Sequence, residues 1–286
     1  MIRLVKLLGH LPLWLHYLIA DTVLFPSIYH VVRYRRHMVR KNMQNAFPHK
    51  SWKEIKILER RFYRFFADMI VETIYGFSAP KEEITRRVKF HNAELLEKPA
   101  CATGGLIVML GHLGNWEWLA DYSNQLQDKN IKSYNLYRKL KSKTFDNLMK
   151  AIRRQRGGDV LDMKTALRHI IANKQKGEPS IYTFLADQKP SAKALDYWTT
   201  FLNQDTPVIN GAEQIARKTG FPVIYVHTKR IKRGWYESWL EPVSMDPANT
   251  EKNEITERYA RMLENNIIED PSIWLWTHNR WKFKRN

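Results

Sequence analysis

A run of six apolar residues, GLIVML at positions 105–110, limits the folds that this chain can adopt. Apolar and polar residues do not alternate in it, so a strand formed from this run is buried on both faces. Such strands belong to parallel sheets that helices cover on both sides. The run therefore predicts a central strand of an α/β fold.

The remaining segments alternate between strand-like and helix-like patterns. Strands are expected at 88–92, 105–110, 131–137, 180–186, 222–230 and 235–243, the last two as a hairpin that turns near Arg233 and Gly234. Helices are expected at 51–77, 115–127, 141–158, 165–177, 212–220 and 253–270, the first with a capping box of Ser51 and Glu54. This order predicts an α/β fold with a mostly parallel central sheet flanked by helices, whose ligands bind at the carboxyl ends of the strands.

The N-terminal 41 residues differ from the rest of the chain. Residues 7–20 and 22–32 are apolar, and only Asp21 interrupts them with a formal charge. Together they approach the ~20 residues that a bilayer span requires. Pro12 and Pro26 instead favour a kinked or interfacial membrane anchor. The alternative is a buried N-terminal helix of a soluble domain.

A basic cluster follows the apolar segment. It consists of Arg33, Arg35, Arg36, Arg40 and Lys41. Such a cluster attracts anionic lipid and, by the positive-inside rule, predicts that the body of the protein faces the cytoplasm. We therefore expect a membrane-associated segment with a helix and a basic cluster at residues 1–41, followed by the main domain at 42–286.

The charge balance points to an anionic partner. The chain has 47 Lys and Arg against 29 Asp and Glu, a formal net charge of +18, which favours nucleic acid, an anionic membrane or an acidic substrate. A basic nucleic-acid-binding protein is the competing class, but the absence of a recognisable zinc-finger spacing, RNP-like block or helix-turn-helix pattern argues against it. The single cysteine, Cys101, excludes an intramolecular disulfide and a cysteine-based zinc site.

A histidine and a glutamate follow the apolar run in the stretch GHLGNWEW, as His112 and Glu117. On one regular helix they would point apart, so they meet only across a strand-to-helix turn. Gly111 and Gly114 permit such a turn, and Asn115 is a favourable N-cap. The spacing leaves two interpretations open: Glu117 orients His112 as a general base, or His112 only satisfies the hydrogen bonds of a turn. No serine or cysteine nucleophile stands in the same turn, which indicates direct deprotonation of a substrate hydroxyl or water.

The stretch HLGNWE resembles the H-x-x-x-x-D/E block of glycerolipid acyltransferases. Further blocks narrow the resemblance to the lipid A late acyltransferases, and it covers nearly the whole chain. These blocks are YRRHMVRKNMQNAFP at 34–48, LYRKLKSKTFDNLMKAIRRQRGG at 136–158, FLADQKP at 184–190, TTFLNQDTPV at 199–208 and EDPSIWLWTHNRWK at 269–282. The resemblance implies a glycerolipid acyltransferase-like fold and an acyltransferase domain at 42–286.

The resemblance also implies a reaction. A fatty acyl group would move from acyl carrier protein or acyl-CoA to a hydroxyl of a lipid A precursor at the inner, cytoplasmic membrane, with no cofactor or metal and no covalent acyl-enzyme. His112 and Glu117 would be catalytic. Five further residues are expected to bind substrate: Arg138 at the oxyanion or a phosphate, Arg153 and Arg154 at a phosphate, and Asp187 and Gln188 at the acceptor. An aminolipid or lysophospholipid acceptor and a membrane-anchored hydrolase are the alternatives.

Overall fold

A seven-stranded sheet forms the centre of the computed structural model, which describes residues 2–139 and 142–285. The described residues form nine strands, seven in this sheet and two in a separate hairpin. They are β1 Val88–His91, β2 Gly105–Leu110, β3 Lys132–Tyr137, β4 Asp159–Asp162, β5 Ser180–Leu185, β6 Trp198–Phe201, β7 Gln204–Pro207, β8 Val223–Lys232 and β9 Trp235–Ser244. The large sheet has the order β1-β9-β8-β2-β5-β3-β4, while β6 and β7 pair separately as an antiparallel hairpin.

Every neighbouring pair in the large sheet is parallel except β8 and β9. The predicted, mostly parallel α/β sheet is therefore confirmed. All six residues of β2 are buried, as expected for a strand covered on both faces. The hairpin β8–β9 turns at Gly234, whose φ of 70° requires the left-handed region that glycine adopts without strain.

Twelve α-helices flank or precede this sheet in the described residues. They are α1 Ile2–Gly9, α2 Leu13–Ile19, α3 Arg36–Ala46, α4 Trp52–Gly76, α5 Lys81–Arg87, α6 Glu94–Thr103, α7 Trp116–Leu119, α8 Tyr122–Gln125, α9 Lys143–Gln155, α10 Ala166–Lys176, α11 Gly211–Thr219 and α12 Glu254–Glu269. The capping box predicted for α4 is present, since Ser51 and Glu54 each accept a backbone N–H of the other.

One predicted helix is broken. The sequence predicts a single helix at 115–127, but the chain forms two single turns, α7 and α8. Buried Asp121 stands between them and accepts hydrogen bonds from the Thr85 hydroxyl at 2.7 Å and the Asn124 amide at 2.8 Å. The Thr85 contact is tertiary, and we infer that it outweighs the local helical pattern. The helix expected at 141–158 is observed as α9, and its first predicted residue lies outside the described residues.

The N-terminal segment is bent and packs on the body. α1 and the following helical stretch, Leu13–Val31, meet at 113°, and this stretch contains two π-helical portions, Ala20–Leu24 and Ser27–Val31. No single helix in the described residues has both the length and the apolar composition to cross a bilayer, although the bent pair meets the criterion jointly. Buried Ala20, Phe25 and Tyr29 belong to the main hydrophobic cluster of the protein.

The basic cluster is used differently from the prediction. The Arg36 and Arg40 guanidinium groups donate to the fully buried Glu59 carboxylate on α4, at 2.8 and 2.6 Å. Arg35 donates to the carbonyl of Thr277 at 2.8 Å. Three of the five expected lipid-binding cations therefore hold α3 and its N-terminal turn against the body. α3 spans Arg36–Ala46 and therefore includes residue 41.

Candidate active site

Parallel pairing brings together two polar side chains that are distant in sequence. Strands β2 and β5 are neighbours, with Leu110 in register with Leu185. His112 and Asp187 each stand two residues beyond this pair, so both leave the sheet at the same carboxyl edge. This is the edge at which open parallel sheets bind their ligands.

The turn that carries His112 has the expected form. Gly114 has a φ of 59°, which a residue with a side chain rarely adopts. The Asn115 side chain accepts the backbone N–H of Trp118 at 3.2 Å and so caps α7, as predicted. The Asn115 amide donates to the buried Glu72 carboxylate at 3.1 Å, which attaches the turn to the long helix α4.

Asp187 accepts the hydrogen bond from the His112 ring. The Nδ1–Oδ1 distance is 2.5 Å, and the His112 backbone N–H donates to Oδ2 of the same carboxylate at 2.8 Å. The Asp187 carboxylate thereby fixes the ring orientation and the tautomer with the proton on Nδ1. The other ring nitrogen, Nε2, accepts from the Gln188 amide at 3.2 Å.

The expected hydrogen bond between Glu117 and His112 is not what the structure contains. The Glu117 carboxylate receives Arg153 instead, through Nε at 2.9 Å and Nη2 at 2.7 Å. It also accepts the Trp116 indole N–H at 3.1 Å. Trp116 in turn packs edge-on against the His112 ring, with 4.9 Å between the ring centroids. Glu117 thus reaches His112 only through the Trp116 ring, because α7 turns its carboxylate towards α9.

Asp187 is ionised despite its burial. Burial by itself raises the pKa of this carboxyl, but the His112 ring and the hydrogen bonds from His112 and Trp274 outweigh burial and lower the pKa to about 2. A buried carboxylate that stays charged stabilises a positive imidazolium at its side. The pair is therefore equipped to accept a proton at Nε2 of His112.

A C-terminal segment clamps the histidine turn. The Gly114 N–H donates to the Ile273 carbonyl at 3.1 Å, and the Leu275 N–H donates to the His112 carbonyl at 3.1 Å. The Trp274 indole N–H donates to Asp187 Oδ2 at 2.8 Å. Trp274 is buried, and it holds the carboxylate oxygen that does not contact the His112 ring. Trp276 and Trp281 of the same segment are buried as well, so their side chains pack against the body of the protein.

Two basic residues of the same segment, His278 and Arg280, lie close enough to Asp187 for its charge to act on their pKa values. Burial lowers the pKa of His278 to about 4, so its ring is neutral near pH 7 and accepts the Lys189 backbone N–H at 3.2 Å. Burial also lowers the pKa of Arg280 to about 10, against the opposing effect of Asp187. Arg280 still carries its charge at neutral pH and donates to the Pro207 carbonyl at 2.7 Å.

A narrow, mainly apolar cleft lies beside the histidine. Its walls are the sheet residues Leu110, Leu185 and Val226, and Glu117 and Arg153 line it as well. The free space is about 30 Å³, enough for roughly one water molecule. A long apolar ligand therefore enters only if the lining side chains move.

The other predicted substrate-binding residues are dispersed. Arg138 is exposed just beyond β3, at the same edge of the sheet as His112, and it forms no hydrogen bond or ion pair with another described residue. Arg154 pairs with Asp159 at 3.1 Å on the surface, whereas Arg153 turns inward to Glu117. A joint phosphate clamp of Arg153 and Arg154 is therefore not assembled. Gln188 lies at the His112 ring, where the sequence analysis expected a substrate contact.

Sequence reasoning missed Trp274 as a partner of the site. Its indole stabilises Asp187, and the only available signal was the family-like block at 269–282. The pairing of His112 with Asp187 had a clearer signal, because both residues follow predicted strands. In the described part of the chain, no group of three or more His, Cys, Asp or Glu side chains is arranged to hold a metal ion.

Comparison with known proteins gives a consistent result. A family profile described as bacterial lipid A biosynthesis acyltransferase matches residues 2–283. A lipid A biosynthesis palmitoleoyltransferase of Escherichia coli (strain K12) is 21% identical over 252 residues, which cover 87% of this chain and 79% of the relative. A lipid A biosynthesis acyltransferase of Shigella flexneri has the same identity over the same shares of both chains.

Proposed function

Since the chain belongs to the bacterial lipid A biosynthesis acyltransferases, we propose that it transfers a fatty acyl group from a thioester to a hydroxyl of a lipid A precursor or related glycolipid. The observation that carries this proposal is the hydrogen bond between His112 and buried, ionised Asp187 at the carboxyl edge of the sheet. The family makes the chain an acyltransferase, and the pair supplies the base that such a reaction requires.

The proposed reaction needs no covalent intermediate on the protein. Nε2 of His112 accepts the proton of the substrate hydroxyl while its oxygen attacks the thioester carbonyl carbon. Asp187 stabilises the imidazolium that forms. The tetrahedral intermediate then expels the thiolate, and His112 returns the proton to the sulfur. The products are an ester and a free thiol, so atoms and charges balance.

Gln188 and Arg138 are the proposed electrophilic contacts. The Gln188 amide donates a hydrogen bond to Nε2 of His112, so it must move away before the substrate hydroxyl can donate to the same atom. We expect it then to donate to the oxyanion, since it remains within reach of the reacting carbon. Arg138, exposed and unpaired among the described residues, is suited to a phosphate of the acceptor.

The acyl chain is proposed to enter the apolar cleft beside His112. Leu110 and Leu185 line this cleft and precede the catalytic pair in the two neighbouring strands. Because the cleft holds only about 30 Å³ of free space, entry requires the Glu117–Arg153 pair or the nearby side chains to shift. Glu117 and Arg153 would then act at the mouth of the acyl site.

We further propose that the N-terminal segment lies on the cytoplasmic face of the inner membrane. The segment exposes large apolar side chains: Leu4, Leu7, Trp14, Leu18, Val23, Val31 and Val32. Apolar side chains on a bent helical segment favour an interfacial position over a span. The formal net charge of +18 favours both an anionic membrane and an acidic acyl carrier protein, the proposed donor with acyl-CoA as the alternative.

An assay with defined substrates tests the reaction. Purified protein is incubated with acyl carrier protein thioester or acyl-CoA, with and without a phosphorylated lipid A precursor. Mass spectrometry is expected to detect one added acyl group, with free thiol released only when the acceptor is present. Thiol release at an equal rate without acceptor would identify a hydrolase. In parallel reactions that contain an aminolipid or a lysophospholipid instead, transfer to one of these lipids alone would contradict the proposed acceptor.

A further inference from the structure

A cavity rich in arginine lies away from the catalytic pair. It has a volume of about 520 Å³ and lies where the N-terminal segment, α4 and the β8–β9 hairpin meet. Its charged lining consists of Arg61, Arg64, Arg230, Arg233, Asp21 and Asp68. No residue that lines it has a hydrogen bond to His112 or Asp187 among the described contacts. The cavity is therefore separate from the proposed transfer site.

Two of the four arginines are neutralised and held in place. Arg230 donates to Asp68 at 2.6 Å, and Arg233 bridges Asp68 and Asp21, with Nε 2.9 Å from Asp68 and Nη1 2.8 Å from Asp21. The Arg233 guanidinium also stacks on Tyr17 of α2, 4.2 Å from the ring centroid. These contacts give the cavity a rigid wall that joins the N-terminal segment to the hairpin.

The other two arginines carry the excess charge. Arg61 and Arg64 lie three residues apart on α4, so their side chains share one helix face. Neither has a carboxylate within ion-pair distance in the part of the chain that the structure describes. The Arg64 guanidinium lies over the Phe25 ring at 5.4 Å. With four guanidinium groups against two carboxylates, the cavity has a net charge of about +2.

An apolar groove adjoins the cavity. Arg61 and Ser272 line both spaces, and the groove has a volume of about 460 Å³. Its apolar lining includes Phe47, Ile57 and Ile268, whereas four acidic residues form part of its rim: Glu54, Glu264, Glu269 and Asp270. The arginine cavity therefore favours an anionic head, and the groove favours an uncharged apolar tail, because its carboxylates repel a second anionic group.

We propose that this arginine cavity binds a phosphate group, and that an anionic phospholipid supplies it. Guanidinium groups bind phosphate oxygens through paired, charge-assisted hydrogen bonds. The N–H groups of Arg61 and Arg64 are available for such bonds, because neither side chain pairs with a carboxylate of the described residues. Asp21 and Phe25 line the cavity and belong to the N-terminal segment, which also exposes Leu18 and Val23, so the cavity borders the segment that is proposed to lie on the membrane. The choice of a lipid as the source rests on that proposed membrane association, whereas the phosphate site does not.

Binding to the full-length protein in a non-ionic detergent tests this site. The probes are dioleoyl phosphatidylglycerol, inorganic phosphate and, as the zwitterionic comparison, dioleoyl phosphatidylcholine. The variant is Arg61→Gln with Arg64→Gln, and both side chains are exposed, so folding is expected to be preserved. The matched control, Arg168→Gln with Lys176→Gln on α10, also removes two positive charges, but from exposed positions outside the cavity.

We expect native mass spectrometry to detect one phosphatidylglycerol bound to the wild type and to the control. Its affinity should be about tenfold weaker or more in the Arg61–Arg64 variant, because charge-assisted hydrogen bonds are lost. Inorganic phosphate could stabilise the wild type against heat as much as phosphatidylglycerol does, and lose this effect in the Arg61–Arg64 variant. That result would support a phosphate site whose ligand is a soluble phosphate and not a lipid. Equal weakening in both variants, or no saturable binding of either probe, would overturn it. None of these readouts requires acyl transfer, so they stand independently of the proposed reaction.

Discussion

At the scale of single residues, the main finding is that the carboxylate bonded to His112 is not the one that the sequence predicted. Sequence spacing within one turn pointed to Glu117, but the sheet register supplies Asp187 from a strand that follows 75 positions later. A local pattern describes which residues share a turn. It does not describe which residue of a neighbouring parallel strand stands opposite, because that depends on strand order.

The Glu117–Arg153 ion pair provides a prediction at this scale. Glu117 is buried, so Arg153→Met leaves its carboxylate without the bidentate partner. We expect the free energy of unfolding to fall by about 3 kcal/mol in Arg153→Met, since an unpaired buried charge is costly. Adding Glu117→Gln to that variant should restore part of the loss.

Urea unfolding of the two single variants and the double variant measures this coupling. A clear interaction energy is expected because the two side chains are in direct contact. If the two single effects add to the effect of the double variant within about 0.5 kcal/mol, the pair does not act as a unit, and the proposed role at the mouth of the cleft loses its basis.

At the scale of secondary-structure elements, the sequence predicted what local patterns determine. The capping box of α4, the β8–β9 hairpin and the buried strand β2 all depend on residues close in the chain, and all are confirmed. Strand β4 and the β6–β7 hairpin were missed, because DVLD, WTTF and QDTP lack the alternation of apolar and polar residues that VKFH of the equally short β1 shows. The break between α7 and α8 was missed because its cause, Asp121 bound to Thr85, is a tertiary contact.

The attachment of α3 to α4 through Glu59 gives the second prediction. The Glu59 carboxylate is fully buried and accepts from both Arg36 and Arg40. Glu59→Ala removes the acceptor of both guanidinium groups and leaves space between the helices. We expect it to lower the free energy of unfolding by about 3 kcal/mol. Glu82→Ala, at an exposed position of α5, is the control and should change stability by no more than about 0.5 kcal/mol.

Urea unfolding followed by tryptophan fluorescence measures both variants. Cleavage by trypsin between α2 and α3 should also become faster in Glu59→Ala, because its loss frees the residues that hold this segment. Similar stability in the two variants would mean that the ion pair contributes nothing to the docking of α3.

At the scale of the whole molecule, the charge of +18 is not evenly available to partners. Arg36, Arg40, Arg153, Arg230 and Arg233 are engaged by buried or half-buried carboxylates. Composition correctly indicated an excess of positive charge, but only the structure separates the cations that hold the fold together from those that face outward. Arg61, Arg64 and Arg138 belong to the outward group.

The response of stability to acid is the third prediction. Burial lowers the pKa of His278 from 6.5 to about 4, so its neutral form is favoured in the folded protein. Its contribution to stability is complete above pH 6.5 and is lost as the pH falls from 6.5 towards 4. Asp187 adds to this loss only below about pH 4, since its folded pKa is about 2.

Unfolding free energies at pH 7 and pH 5 test this effect. The decrease between these pH values should be smaller in His278→Gln than in the wild type by about 1 kcal/mol, allowing for partial exposure of the ring. His37→Gln, at an exposed position, should behave as the wild type. An identical decrease in all three proteins would assign the acid sensitivity to other groups.

The rate of acyl transfer by Asp187→Asn tests the central claim most directly. An asparagine at this position can accept from the His112 backbone N–H and the Trp274 indole N–H only with its oxygen on their side. Its NH₂ group then faces Nδ1 of the His112 ring, which moves the ring proton to Nε2. A histidine protonated at Nε2 cannot accept the substrate proton. With protein fold confirmed by circular dichroism, we expect the kcat of Asp187→Asn to fall by roughly 10²–10⁴-fold, close to that of His112→Ala. A kcat within a few-fold of the wild type would contradict the assignment of His112 and Asp187 as the catalytic pair.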